Sequence, residues 1–139
     1  MEFIESLDFE ESVDQIKSQM IDYYLENNLS WNDKEKLIHY KLCDLYRISK
    51  DREDIGFIML HDNQGDYYIA ELHISKQFRN KGYGSEALGK AKSFAAYQGF
   101  SEIRIRAIKT SPAYRLYLRS GFILEKELPY TYQLVSKSS

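Results

Sequence analysis

The fold of this chain is decided by residues 70–98, which read AELHISKQFRNKGYGSEALGKAKSFAAYQ. The first residues continue a β-rich run that begins at Tyr67. From Ser85 to Gln98 the apolar side chains recur at three- and four-residue steps, which is the period of an amphipathic helix. Between strand and helix lies a loop with two basic residues and two glycines. A strand that enters a helix through such a loop is the frame of an anion-binding site.

The loop of residues 79–85 has the properties that bound phosphate requires. The first N–H groups of a helix have no partner within the helix, and its dipole adds positive charge there. Gly82 and Gly84 allow the backbone to approach a ligand closely. Arg79 and Lys81 add charge, and Ser85 adds a hydroxyl. The glycine spacing fits neither a Walker A motif nor the dinucleotide fingerprint, so the loop favours a pyrophosphate or another polyanion. On this loop alone, an ordinary surface turn is the alternative.

The flanking sequence predicts the rest of a mixed sheet. We expect seven strands and four helices in the order β-α-α-β-β-β-α-β-α-β-β, an α/β chain of the α+β type with helices on both faces of the sheet. The expected strands are Glu2–Leu7, Leu42–Ser49, Ile55–His61, Tyr67–Ser75, Glu102–Ile108, Phe122–Lys126 and Thr131–Val135. The expected helices are Phe9–Asn27, a second one capped by Asn32 or Asp33, Ser85–Gln98, and a fourth that Ser111-Pro112 begins and Gly121 ends.

Composition narrows the class of protein. The chain has 139 residues, 43% of them hydrophobic, and no run approaches the ~18 apolar residues of a membrane helix. We therefore expect one domain over residues 1–139, a cytoplasmic location, no membrane contact and a frayed tail at 136–139. Cys43 is the only cysteine, which excludes an intrachain disulfide, and no His or Cys spacing predicts a metal site. Residues 1–75 are acidic in balance and residues 76–139 are basic.

Two segments of the chain resemble the GNAT superfamily of N-acetyltransferases. Arg79-Asn80-Lys81-Gly82-Tyr83-Gly84 is similar to the Q/R-x-x-G-x-G/A segment of that family and follows a strand, as it does there. Ala113-Tyr114-Arg115-Leu116-Tyr117-Leu118-Arg119-Ser120-Gly121-Phe122 is similar to the family's A-x-x-L-Y-x-x-x-G-F segment. The resemblance covers residues 42–135, which would form the acetyl-CoA-binding core. Residues 1–41 match the variable strand-helix-helix opening on the acceptor side.

The resemblance implies a fold, a cosubstrate and a set of site residues. The fold is a mostly antiparallel central sheet in which two parallel strands splay apart, flanked by helices. The cosubstrate is acetyl-CoA, with no metal. The residues that the resemblance assigns to its binding are Leu72, His73, Ile74, Arg79, Asn80, Lys81, Gly82, Tyr83, Gly84, Ser85, Thr110, Ala113 and Tyr117. Tyr117 matches the tyrosine that protonates the departing thiolate, and an N–H near Leu72 would polarise the thioester carbonyl.

The chain departs from the family pattern at several positions. Thr110 stands where an asparagine is usual, and Lys76 stands where proline is frequent. Tyr68 occupies a place where some members carry a glutamate, which indicates that another base or a water relay deprotonates the amine. Glu71 is our candidate, with His73 as the alternative. If side chains alternate regularly along this strand, Glu71 and His73 lie on one face, and Ala70, Leu72 and Ile74 lie on the other.

The resemblance predicts transfer of an acetyl group from acetyl-CoA to a primary amine of a small molecule or peptide, with both substrates bound at once. The acidic balance of residues 1–75 hints at a cationic acceptor. A non-catalytic acyl-CoA sensor or interaction domain of the same fold is the alternative. No nucleic acid is expected as a partner, because the pI is 5.9 and no recognition motif is present. A homodimer would be in keeping with the resemblance.

Overall fold

The computed structural model describes residues 1–139 as a seven-stranded sheet with two helices on each face. The strands are β1 (Glu2–Glu5), β2 (Asp44–Lys50), β3 (Glu53–Asn63), β4 (Asp66–Ile74), β5 (Glu102–Ile108), β6 (Ile123–Glu127) and β7 (Thr131–Lys137). The helices are α1 (Phe9–Glu26), α2 (Asp33–Tyr40), α3 (Tyr83–Tyr97) and α4 (Ala113–Arg119). A single 3₁₀ turn, Lys76–Phe78, follows β4. The predicted element order and the mixed sheet are confirmed.

Each face of the sheet buries its own hydrophobic cluster. Helices α3 and α4 cover the larger one, to which α3 contributes Ala87, Leu88, Ala91 and Ala95. Helices α1 and α2 cover the smaller one, which contains Val13, Ile16 and Tyr40. Cys43 lies in this second cluster and is buried, as expected for a small hydrophobic side chain. None of the helices combines the length and the apolarity needed to cross a membrane.

Capping side chains start the first two helices. The carboxylate of Asp8 accepts a hydrogen bond from the Glu11 N–H at the start of α1. The Asn32 side chain accepts one from the Glu35 N–H at 2.9 Å, which confirms Asn32 as the cap of α2. Helix α3 begins at Tyr83, two residues before the predicted start, because Gly82 caps it in a left-handed conformation with φ 81°. The dipeptide Tyr83-Gly84 is therefore already helical.

The strand order is β1-β2-β3-β4-β5-β7-β6. Strands β2, β3 and β4 form the predicted antiparallel meander. The one parallel pair is β4 with β5, and it contains only the partners Tyr68–Arg104 and Ile69–Ile105. Beyond these two pairs β4 runs on to Ile74 and β5 to Ile108 without pairing with each other, although each stays paired with its other neighbour. The two parallel strands therefore splay apart, as the resemblance predicted.

A β-bulge in β4 corrects the predicted alternation of its side chains. The register with β3 shifts between the pairs Met59–Glu71 and Leu60–Ile69, so Ala70 has no partner. A bulge puts two successive residues on one side of a strand. Ala70 accordingly packs with the α1/α2 cluster, on the same face as Glu71, and not with Leu72 as we had expected.

The predicted tail at residues 136–139 is also wrong. Strand β7 continues to Lys137, and Ser136 is buried. The Ser138 N–H donates a 3.0 Å hydrogen bond to the Ser101 carbonyl oxygen. Residues 136 and 137 belong to the strand because they pair with Ile103 and Glu102 of β5, which satisfies their backbone groups.

Candidate active site

A cleft of about 680 Å³ opens where β4 and β5 splay apart. Its floor is the last part of β4, and its two sides are the start of α3 and helix α4. The side chains and backbone that line it are those of Gln19, Leu72, His73, Ile74, Phe78, Arg79, Asn80, Gly82, Tyr83, Gly84, Ser85, Ser111, Pro112, Ala113, Leu116, Tyr117 and Arg119. The cleft thus brings together both motifs of the sequence, which lie some 30 residues apart along the chain.

The N-terminus of α3 presents free backbone donors to this cleft. The first helical hydrogen bond runs from the Glu86 N–H to the Gly82 carbonyl, so the N–H groups of residues 83–85 have no partner within the helix. No side chain caps this end. A Cβ added to Gly82 would meet no atom within 4 Å, so the space before the helix is open. Asn80 also has a positive φ, 61°, which turns the loop tightly ahead of the helix. Such an arrangement of free backbone donors is suited to binding an anion at this end of the cleft.

Gly84 brings α3 and α4 close together beside the cleft. A Cβ on Gly84 would lie 3.2 Å from the Cδ2 atom of Leu116, which is tighter than ordinary van der Waals contact. Because Leu116 precedes Tyr117 on α4, the small residue in the first motif sets the distance of the second motif from the helix terminus. The two segments are linked by packing as well as by their order in the sequence.

Arg79 folds back along the end of β4. Its Nε donates a 2.8 Å hydrogen bond to the Ile74 carbonyl oxygen, so the guanidinium lies beside the strand. The neighbouring His73 ring stacks on Phe57, with centroids 4.9 Å apart. Its buried Nδ1 has no hydrogen-bond partner. Burial, and then the charge of Arg79, lower the pKa of His73 below its ordinary value of 6.5, so the imidazole is neutral at pH 7.

Tyr117 lies at the other end of the cleft, on α4. The side chain is 8% exposed and packs near Phe122, with the ring centroids 6.3 Å apart. Burial, followed by the negative charge of Glu71, raises the pKa of the Tyr117 hydroxyl above its ordinary value. The phenol therefore stays protonated at neutral pH and can act as a hydrogen-bond donor or an acid.

Glu71 lies on the α1/α2 face of β4, partly buried beneath α2. Its Oε1 accepts a 2.7 Å hydrogen bond from the hydroxyl of Tyr40. Burial raises the pKa of the carboxyl to about 6, although the Tyr40 hydrogen bond and the charge of Lys36 act in the opposite direction. A carboxyl with this pKa is mostly ionised at pH 7 and can accept a proton.

The structure brings most of the predicted site residues into one cleft. Leu72, His73, Ile74, Arg79, Asn80, Gly82, Tyr83, Gly84, Ser85, Ala113 and Tyr117 all line it. Three predicted residues do not: Lys81 and Thr110 are exposed outside the lining, and Glu71 lies next to it under α2. Ser111 and Pro112 take the place beside the cleft that we had expected for Thr110.

Sequence reasoning missed several lining residues. Leu116 and Arg119 lie on the helix of Tyr117, and Phe78 lies just before the loop, so proximity to the motifs was a usable signal for these three. Gln19 had no such signal, because α1 reaches the cleft only through packing across the sheet.

Comparison with known proteins decides the family. The sequence profile of the acetyltransferase (GNAT) family matches residues 6–122 of this chain. The chain belongs to the GNAT family. This match spans both motifs and every element from α1 to α4, so the family assignment rests on most of the chain. No curated protein sequence gives a significant match.

Solved structures of GNAT proteins share the fold at low sequence identity. A GNAT family acetyltransferase from Elizabethkingia anophelis with acetyl-CoA bound has a TM-score of 0.66 and 19% identity, over 75% of this chain and 82% of that one. An acetyltransferase from Bacillus subtilis in complex with CoA has a TM-score of 0.69 and 17% identity, over 98% and 96%. The PaiA N-acetyltransferase of Thermoplasma acidophilum in complex with coenzyme A has a TM-score of 0.65 and 19% identity, over 92% and 87%.

Proposed function

We propose that this GNAT protein transfers an acetyl group from acetyl-CoA to a primary amine of a small molecule or peptide, with both substrates bound together. One observation carries the proposal: a single cleft joins the uncapped N-terminus of α3 to the buried phenol of Tyr117. The first end suits a pyrophosphate, and the second suits a leaving group that needs a proton. Relatives of the same fold contain acetyl-CoA or CoA, which supports the same cosubstrate here.

The residues of the cleft fit acetyl-CoA. The N–H groups of residues 83–85 and the open space at Gly82 would receive the pyrophosphate, and Ser85 adds a hydroxyl. The unpaired edge of β4 from Leu72 to Ile74 offers backbone groups to the amide-containing pantetheine arm. The unpartnered Nδ1 of His73 marks a polar position in this wall that has no partner within the protein. Arg119, on α4, adds positive charge to the lining.

Bound acetyl-CoA supplies a thioester, whose carbonyl carbon an amine can attack. The acceptor arrives as an ammonium, and we assign Glu71 the role of accepting the proton that must leave before attack. A carbon–nitrogen bond then forms and the carbon–sulfur bond breaks. Tyr117 donates its hydroxyl proton to the sulfur, and it regains a proton from the nitrogen as the amide forms. The net release is one proton, which leaves from Glu71 to solvent.

The acceptor is proposed to be cationic. Acidic residues predominate in 1–75, which include α1 and α2, and Gln19 of α1 lines the cleft. An ammonium would be attracted to this side of the sheet, opposite the basic residues of α3 and α4. We propose a cytoplasmic location, in keeping with the single buried cysteine.

Calorimetric titration with acetyl-CoA tests the cosubstrate, and a panel of amines tests the reaction. We expect micromolar binding that CoA competes, followed by acetylation of at least one cationic amine. Binding without turnover on any amine would favour a non-catalytic acyl-CoA sensor of the same fold. Absence of binding up to millimolar acetyl-CoA would overturn the proposal, because the α3 terminus would then not be a pyrophosphate site.

A further inference from the structure

The buried Tyr40 and the partly buried Glu71 form a polar pair that the sequence did not predict. Tyr40 is the last residue of α2 and is 7% exposed. Its hydroxyl donates the 2.7 Å hydrogen bond to Glu71 Oε1 across 31 residues of sequence. The pair exists because the bulge at Ala70 turns Glu71 towards α2. A carboxylate hydrogen bond of this length is strong, and it fixes the orientation of the acceptor group.

Titratable or charged groups face Glu71 from α2, from the segment after it and from α4, whereas its partner on β3 is the uncharged Met59. Helix α2 contributes Tyr40 and Lys36, and the segment after it contributes Cys43. Helix α4 contributes Tyr117, the proposed acid, whose hydroxyl is influenced by Glu71 across the gap between β4 and β5. Along β4 itself, His73 is the next residue on the same face.

Lys36 is held in place by two aromatic rings. Its ammonium lies 5.0 Å from the ring centroid of Trp31 and 5.2 Å from that of Tyr24. These distances are those of cation–π contacts. Because Lys36 lies one helical turn before Tyr40, α2 presents a hydroxyl and a fixed positive charge to the same carboxylate. Both favour the ionised form, which is the form that can accept a proton.

We propose that Tyr40 is the positioning residue of the proton acceptor: its hydroxyl holds Glu71 Oε1 and leaves Oε2 to take the proton from the acceptor ammonium. In this step one N–H bond of the ammonium breaks and one O–H bond forms on Glu71, while Tyr40 keeps its proton. The inference rests on the proposed function and deepens it. It also assigns α2, which lies outside the two sequence motifs, a part in the reaction.

The pH dependence of kcat/KM in the Tyr40→Phe variant tests this role. The variant loses a hydrogen bond to the charged form of Glu71, so the pKa of that carboxyl rises. The acidic limb of the kcat/KM profile should therefore move to higher pH by about one unit. At a pH below the limb, this shift lowers kcat/KM about tenfold. Turnover recovers towards wild type above the limb. Tyr67→Phe is the matched control, because Tyr67 is equally buried but lies on the other face of the sheet. The acidic limb of the kcat/KM profile of Tyr67→Phe should stay at the wild-type pH.

A second readout needs no substrate. In protein with ¹³C-labelled glutamate carboxyls, the Glu71 signal is assigned with Glu71→Gln, and its titration midpoint should move upward in Tyr40→Phe. In Lys36→Met the titration midpoint of Glu71 should also move upward, because a positive charge near the carboxylate is lost. Lys36 is partly exposed, so this variant can replace Tyr40→Phe if that variant does not fold. The inference would be overturned if neither the titration midpoint of Glu71 nor the acidic limb of the kcat/KM profile moved in Tyr40→Phe. An acidic limb that persists in Glu71→Gln would also overturn it, because another group such as His73 would then be the base.

The two proposals can fail separately. A shifted carboxyl titration without turnover on any amine would leave the Tyr40–Glu71 pair intact and refute the proposed reaction. If the enzyme acetylates an amine but the acidic limb of its kcat/KM profile does not move in Tyr40→Phe, the proposed reaction stands and the positioning role of Tyr40 is refuted.

Discussion

Gly56 of β3 lies directly against the backbone of His73 in β4. A Cβ on Gly56 would lie 1.9 Å from the His73 carbonyl oxygen and 2.9 Å from its carbonyl carbon, distances that no real side chain tolerates. Gly56 is paired with Ile74, the last residue of β4, at the point where that strand forms the floor of the cleft. The absence of a side chain at Gly56 therefore permits the close strand contact that positions the cleft floor.

We predict that Gly56→Ala destabilises the fold by about 1–3 kcal/mol, because the added methyl group must push the strands apart. Gly89→Ala is the matched control. Gly89 lies inside α3, and an added Cβ there meets nothing within 4 Å, so alanine should stabilise by about 0.5–1 kcal/mol. Urea unfolding measures both. A neutral Gly56→Ala would mean that β3 and β4 adapt without strain.

Tyr117→Phe should lower turnover by about 10²- to 10⁴-fold, which is the usual contribution of a general acid. Affinity for CoA, measured by calorimetry, should change little, because only the hydroxyl is lost. Tyr114→Phe on the same helix is the control. Its ring packs on Tyr132 at 4.5 Å, and we give its hydroxyl no role in the reaction. Equal turnover in the two variants would exclude Tyr117 as the acid.

Gly82→Glu should abolish CoA binding, because a negative side chain would enter the anion site at the start of α3. Since Gly82 has φ 81°, any side chain there also strains the backbone. Gly65→Glu controls for that strain, because Gly65 has φ 97° in the β3–β4 turn and equally open surroundings. Titration of both variants with CoA should show binding only for Gly65→Glu. If Gly82→Glu binds normally, the pyrophosphate site lies elsewhere.

Glu71 makes the stability of the fold depend on pH. Its folded-state pKa of about 6 lies above the ordinary 4.5, so the folded state binds the proton more tightly than the unfolded state. Its stabilising contribution is therefore complete below pH 4.5 and is lost as the pH rises through 6, by about 2 kcal/mol. Glu71→Gln cannot ionise, and relative to wild type it should gain about this much free energy of unfolding between pH 4 and pH 8. Urea melts across that range measure the gain. A difference that instead grows towards acid pH would show that the fold stabilises the carboxylate.

Much of this protein could be predicted from local sequence. The apolar stripe of α3, the cap at Asn32 and the meander of β2 to β4 all follow from side-chain period and capping chemistry. The loop of residues 79–85 pointed to the end of the cleft that we propose binds the pyrophosphate, because free helix N–H groups and flexible glycines are local properties. The second motif identified Tyr117 through its resemblance to a family and not through its own chemistry.

Only the tertiary structure decided the rest. The bulge at Ala70 is a register shift against β3, and no local pattern distinguishes a bulged strand from a regular one. That shift turns Glu71 towards Tyr40, 31 residues away. Burial there raises the pKa of the proposed base, and the hydrogen bond from Tyr40 partly opposes that rise. The strand pairing of Ser136 and Lys137 likewise depends on β5, more than 30 residues earlier in the chain. Sequence determined the elements and the loop of residues 79–85 because these depend on neighbouring residues. The face, the partner and the pKa of Glu71 depend on which distant elements pack together, and only the folded chain brings them into contact.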